Sequence, residues 1–177
     1  MSKYRKTLYI VTHRNILWLP IYIHQDLMIR DVKIKKLETH SDGRGYFREI
    51  LRDDDYYLRH FGQASVSLTK PRTIKAFHWH KYQDDLFYVI SGNAQVVLYD
   101  LRKNSKTFKQ IMTFEMSDKY PKLLFIPKKV AHGYKVLGKN PLIMLYFMSR
   151  SYNPKKPDEQ RMPFDDKKIG FNWEKYK

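Results

Sequence analysis

Residues 75–85 read KAFHWHKYQDD, a short stretch that carries both a strand signal and a concentration of reactive side chains. On a β-strand successive side chains alternate faces, so His78 and His80 point one way while Phe77 and Trp79 point the other. Two imidazoles therefore face one cavity, with Asp84 and Asp85 just behind them. Taken alone, the cluster leaves three readings open: a metal site, a proton-transfer site, or satisfied histidines filling a core.

Outward from this stretch the pattern is β. Apolar, β-branched or alternating runs recur at ASVSL (64–68), LFYVI (86–90), AQVVLY (94–99), LLFI (123–126), YKVL (134–137) and LIMLYFM (142–148). Turn signals separate them at SGN (91–93), RKNS (102–105), IPKK (126–129) and GKNP (138–141). Many short strands with this punctuation predict an all-β sandwich or barrel. Helix is expected only near the ends and in brief turns, for example across DDDYYLRHFG (53–62), where Asp53 is placed to cap an N-terminus. The tail SYNPKKPDEQRMPFDDKKIGFNW, rich in proline and charge, reads as an irregular strap over the barrel.

A chain of 177 residues, 42% hydrophobic and 15% aromatic, suits one core. We expect a single domain over residues 28–177, preceded by an N-terminal extension, 1–27. Within that extension ILWLPIYI (16–23) follows four basic residues, but it is too short for a bilayer span, is broken by Pro20 and lacks a small-residue cleavage site. The expected readings are an added strand or a start upstream of Met28, with no membrane span. The absence of cysteine excludes disulfides, a thiolate nucleophile and a cysteine-based zinc site, and fits a reducing, cytoplasmic setting. A formal charge of +16 favours anionic partners. Lys and Arg are scattered rather than interleaved with stacking aromatics, so nucleic acid is not the expected partner, while the charge alone does not choose between an acidic membrane surface and a nucleotide diphosphate.

The spacing then becomes specific. His78, His80, Asp85 and Gly92 resemble the first motif of the cupin barrel, with Asp in place of the usual Glu; Pro127 and His132 resemble the second, with Lys129 where a glycine would stand. Blocks outside these motifs narrow the resemblance to the dTDP-4-dehydrorhamnose 3,5-epimerase family: DGRGYFRE (42–49), QASVS (63–67), KAFHWH (75–80), YDLRKNSKTF (99–108), IPKKVAHGY (126–134), LYF (145–147) and GFNW (170–173), all in order. The resemblance implies an all-β, cupin-type jelly-roll barrel with short terminal helices or turns, a homodimer formed by exchange of edge strands, a nucleotide-sugar substrate and no cofactor.

It also implies roles. The family inverts carbons flanking the C4 ketone of a nucleotide-linked 4-keto-6-deoxy sugar, which requires a base near its working pH, stabilisation of an enolate, and an acid on the opposite face. By position His78 is the base and Tyr146 the acid, while His132 binds the sugar or steadies the enolate. Arg44 and Lys75 would pair with the diphosphate, with Phe47, Glu49 and Gln63 completing the substrate site. The chain departs from the family at Asp85, where a lysine is usual, and at Phe147, where a lysine follows the tyrosine. The family's carboxylate partner for the base lies beyond the motif answered by GFNW, so Asp84 or Asp85 is the candidate replacement. These departures support two other readings. One is a metal-binding cupin isomerase or oxygenase, with His78, His80, Asp85 and His132 around a divalent transition metal. The other is a sugar-nucleotide-binding cupin without chemistry.

Overall fold

The computed structural model describes the backbone of residues 7–11 and 16–20 and the whole of residues 28–175. Fourteen strands follow in chain order among these residues. Strands β1 (Thr7–Val11) and β2 (Ile16–Pro20) pair antiparallel with each other, so the extension holds two strands where one was expected. The remainder of 1–27, and with it any leader sequence, lies outside the described residues.

The barrel is two five-stranded antiparallel sheets. One runs β10 (Ile111–Ser117), β9 (Asn93–Asp100), β12 (Val130–Leu137), β7 (Ile74–His80), β14 (Glu159–Arg161); the other runs β3 (Lys33–Lys36), β11 (Lys122–Ile126), β8 (Asp85–Ser91), β13 (Leu142–Met148), β6 (Gln63–Thr69). Their facing sides bury Phe87, Val89, Val96, Leu98, Met144 and Val136 in one interior cluster. A separate hairpin, β4 (His40–Asp42) with β5 (Gly45–Phe47), stands clear with every residue exposed.

The outer faces are covered as well, which is why LFYVI and AQVVLY read as nearly unbroken apolar runs. Ile169, Phe171 and Trp173 of the tail pack on Phe77, Val97, Tyr99 and Ala131. Tyr57 and Leu58 pack with Leu86, Tyr88 and Leu123 on the other sheet. The tail is thus the strap anticipated from its composition, with β14 as its one short strand on the edge of β7. The helix expected over 53–62 is reduced to a single 3-10 turn, Asp53–Asp55. Arg52, not Asp53, occupies the cap, and Tyr57 and Leu58 bury more apolar surface against the sheet than a solvated helix would allow. No α-helix occurs among the described residues, and none is long and apolar enough to cross a membrane. Strand β10 escaped the sequence reading because the methionines and glutamate of IMTFEMS dilute the usual β-branched signal.

Two local features hold the barrel where the reactive residues lie. Between β12 and β7, His132 pairs with His78 but Tyr134 pairs with Lys75, so β7 carries one extra residue and bulges. The bulge presses on Gly133: a Cβ there would lie 2.3 Å from the Ala76 Cβ and 2.8 Å from the Lys75 carbonyl. Gly133→Ala should therefore destabilise the fold by about 1–3 kcal/mol through overpacking, read as a lowered Tm with the folded circular-dichroism spectrum retained.

At the end of β9 the buried Asp100 carboxylate accepts from Arg102 Nε at 2.8 Å, Arg102 Nη2 at 2.9 Å and Thr107 Oγ1 at 2.7 Å. Burial alone pushes the Asp100 carboxyl up, but the hydrogen bonds from Arg102, Thr107 and Ser105 outweigh it and hold the group at about 2. Because the folded value is depressed, the stabilisation is complete above the ordinary carboxylate range near 4 and is lost as pH falls toward 2. Asp100→Asn should cost roughly 2 kcal/mol at pH 7. Denaturant titrations should show the gap between the two proteins closing as pH falls.

Candidate active site in the barrel

Three strands and one turn bring the reactive side chains together. β7 contributes His78 and His80, β12 contributes His132, and β8 begins with Asp85. Residues 81–84 turn from β7 into β8 around Asp158 of the tail, whose carboxylate accepts the backbone N–H groups of Lys81, Tyr82 and Gln83 at 3.2, 2.9 and 3.0 Å. Lys129 has φ +62°, the left-handed conformation that the glycine of the second cupin motif would adopt. Its N–H donates to the His80 carbonyl at 2.7 Å, which docks the start of β12 beside the end of β7.

The imidazoles meet edge to face. His78 and His132 lie with ring centroids 4.1 Å apart and Nε2 atoms 2.8 Å apart. His132 donates its Nδ1–H to the Val130 carbonyl at 3.0 Å, so its Nε2 carries a lone pair and the proton between the two rings belongs to His78. Gln83 donates from Nε2 to Asp85 Oδ1 at 2.7 Å and lies 3.3 Å from His80 Nε2. Asp85 Oδ2 is 3.4 Å from both His80 Nε2 and His132 Nε2. One ligating atom from each of the four residues lies within 4.8 Å of all the others. His80, Asp85 and His132 are buried, whereas His78 keeps partial exposure.

Burial governs the protonation of this group. It lowers His78, with His80 adding to the effect, to about 4, lowers His80, and lowers His132 well below its ordinary value. It pushes Asp85 up to about 7. At neutral pH the imidazoles are neutral, so the Asp85 contacts are not ion pairs but close approaches between a carboxyl and imidazole lone pairs.

On the opposite wall β13 presents Tyr146. The Phe87 ring stands between the two groups, 5.2 Å from His132 and 4.9 Å from Tyr146 by ring centroids, edge to face with each. Tyr146 Oη lies 2.9 Å from Ser67 Oγ and 3.1 Å from Tyr134 Oη, and Tyr134 Oη lies 2.9 Å from Thr69 Oγ1. Burial, with Tyr134 next, raises the Tyr146 phenol far above its ordinary range, so it keeps its proton.

The other sequence candidates are placed less uniformly. Gln63 lies on the inward side of β6, accepting from the Tyr152 N–H at 2.8 Å and donating to Ser65 Oγ at 2.9 Å. Lys75 is exposed on β7. Arg44 turns back onto Asp42, Glu49 pairs with Arg52, and Phe47 is 65% exposed on the β4–β5 hairpin. Within one chain these three stand apart from the imidazoles. Asp84 does not face the cluster either: its Oδ1 accepts the Lys128 N–H at 2.8 Å and its N–H bonds Ser149 Oγ, tying two loops together. Sequence reasoning missed Gln83, Phe87 and Tyr134. Strand parity was the available signal for Phe87, two residues beyond Asp85, and for Tyr134, two beyond His132. Nothing local marks Gln83, which sits in a turn.

With this geometry in place, comparison with known proteins is informative. Residues 26–177 match the family model described as dTDP-4-dehydrorhamnose 3,5-epimerase. The chain is 58% identical over 146 residues to the spore coat polysaccharide biosynthesis protein SpsL of Bacillus subtilis strain 168, covering 82% of this chain and 97% of that protein. It is 32% identical over 147 residues to the probable low-salt glycan biosynthesis epimerase Agl13 of Haloferax volcanii, covering 82% and 94%. The crystal structure of dTDP-4-dehydrorhamnose 3,5-epimerase from Bacillus anthracis strain Ames, with TDP and PPi bound, superposes with a TM-score of 0.74 at 28% identity, covering 85% of this chain and 88% of that one. The barrel, the ordered motifs and these matches together establish that the chain belongs to the dTDP-4-dehydrorhamnose 3,5-epimerase family.

Proposed function

We propose that this protein is a sugar-nucleotide epimerase that moves a proton at a carbon next to the C4 ketone of a nucleotide-linked 4-keto-6-deoxy sugar. The observation that carries this reading is the neutral, partly exposed His78 bonded to His132, whose ring and that of the protonated Tyr146 lie on either side of Phe87. His78 takes the proton as the C–H bond breaks, and the electron pair moves into the carbonyl to form an enolate. His132 accepts the Nε2–H of His78 and steadies the imidazolium that results, with the Asp85 carboxyl within 4.8 Å as a counter-charge. Tyr146 returns a proton to the opposite face. The phenolate left behind is solvated by the Ser67 and Tyr134 hydroxyls, since a lysine does not follow this tyrosine. No cofactor is needed for these steps. A nucleotide-sugar substrate and a cysteine-free chain fit a cytoplasmic location.

The remaining substrate residues lead to a second part of the reading. Arg44, Phe47 and Glu49 stand apart from their own chain's imidazoles, on or beside a hairpin that carries exposed Tyr46 and Phe47. Val66 and Leu68 are also exposed, on the edge strand β6. A homodimer covers this apolar surface and lets the hairpin of one copy reach the cavity of the other, where Arg44 with Lys75 would hold the diphosphate. The Bacillus anthracis relative holds TDP and PPi, a ligand pair of that chemistry.

Incubated with dTDP-4-keto-6-deoxyglucose in heavy water, the wild type should wash deuterium into C3 or C5. His78→Ala should abolish the exchange and Tyr146→Phe should slow it roughly 100-fold or more. Wild-type exchange no faster than buffer across a panel of nucleotide-4-keto sugars would refute the epimerase reading. Light scattering should give the mass of a dimer. Mixing the His78→Ala and Arg44→Ala chains should restore about a quarter of wild-type exchange, because half of the mixed dimers' sites then carry neither defect. A mixture as inactive as its parents would show that each hairpin serves its own chain.

A further inference from the structure

The four residues His78, His80, Asp85 and His132 have more acceptors aimed at one point than protons to share among them. His132 presents a lone pair at Nε2 because its Nδ1–H is committed to the Val130 carbonyl. His80 presents one at Nε2 because the Gln83 amide donates toward that atom, 3.3 Å away, which places the ring proton on Nδ1, a buried atom without a hydrogen-bond partner. Asp85 Oδ2 faces both nitrogens at 3.4 Å while Oδ1 is held by Gln83. Of the ring protons, the His78 Nε2–H, shared with His132 at 2.8 Å, is the one that relieves this crowding.

These separations match those around a small cation. Metal–nitrogen and metal–oxygen bonds of about 2.0–2.1 Å place tetrahedral ligand atoms roughly 3.3–3.4 Å apart, the spacing found from Asp85 to His80 and to His132. Opening the His78–His132 contact by roughly half an ångström would bring that edge to the same length, and the other pairs of ligating atoms lie within 4.8 Å. The surrounding contacts orient the ligands as metal sites require: the Val130 carbonyl fixes one tautomer and the Gln83 amide fixes the carboxylate. Three imidazole nitrogens and one carboxylate oxygen suit a first-row divalent ion.

We infer that His78, His80, Asp85 and His132 bind one divalent transition-metal ion, which displaces the proton between His78 and His132 and so removes His78 from service as a base. Metal loading and proton abstraction are then alternative states of one site, because a neutral His78 that coordinates through Nε2 carries its proton on Nδ1 and has no lone pair left for the substrate. The second half of this inference rests on the epimerase reading above; the first does not.

Cobalt(II) titrated into tag-free protein, stripped with a chelator beforehand, should reach about one equivalent and develop visible ligand-field absorption of low coordination number. Zinc should abolish that absorption by competition. His80→Asn and Asp85→Asn, checked for native circular dichroism, should each bind cobalt roughly 100-fold more weakly, and the loaded wild type should exchange deuterium at least tenfold more slowly than the stripped protein, by the loss of a base. Binding of less than about a tenth of an equivalent would overturn the site. Undiminished binding in both variants would overturn the ligand assignment, and undiminished exchange in the loaded protein would overturn the coordination of His78. The titration needs no turnover, so a protein inert toward the sugar would remove the epimerase reading and leave the metal result standing.

Discussion

The β7–β12 pairing that sets His132 opposite His78 is the constraint on which the rest of the site depends. A shift of β7 by one residue in this register would send His78 and His80 to the strap side of the sheet and bring Phe77 and Trp79 into the interior. Three features pin it: the bulge at Ala76, the missing side chain at Gly133 that admits it, and the left-handed turn at Lys129 that ties β12 to the His80 carbonyl. None of these contributes a reactive group. Each determines where the reactive groups are.

The cluster so formed sits at the edge of an apolar interior, and burial does most of the chemical tuning. Desolvation keeps three histidines neutral and raises one carboxyl, so the site holds bases and lone pairs where an exposed set would hold charges. Such a site costs stability, and the fold offsets it elsewhere. Both sheets are packed on both faces, one by the tail through Trp173 and one by the segment after the 3-10 turn. The tail has a second task, since its Asp158 organises the turn from which Gln83 reaches Asp85. Strap and site are therefore coupled through this carboxylate and through the pairing of β14 with β7 at His78 and His80.

Asp85, with Phe147, is a position at which this chain departs from the family pattern. A lysine in its place would put a cation near the enolate; the aspartate instead joins His80 in surrounding the His78–His132 pair. On the proposed reading, that substitution keeps a base available and adds a donor that a cation could use. The strong positive charge lies elsewhere, spread along the chain, where it suits the anionic part of a nucleotide sugar.

By itself the sequence determined the all-β class, most strands, the shared face of His78 and His80, the strap-like tail and the family, because these follow from strand parity, turn residues and ordered motifs along the chain. It also nominated Asp85 and His132, through spacing alone. Only the tertiary structure decided which carboxylate faces the imidazoles: Asp84 and Asp85 are adjacent in sequence, but one is spent on the Lys128 N–H and the other is buried beside two nitrogens. It likewise exposed Arg44, Phe47 and Glu49, shrank the expected helix to one turn and brought in Gln83 and Tyr134. The reason is physical. Strand parity is a property of neighbouring residues, whereas protonation, tautomer and the capacity to hold a cation depend on atoms brought within a few ångströms by segments far apart in the chain.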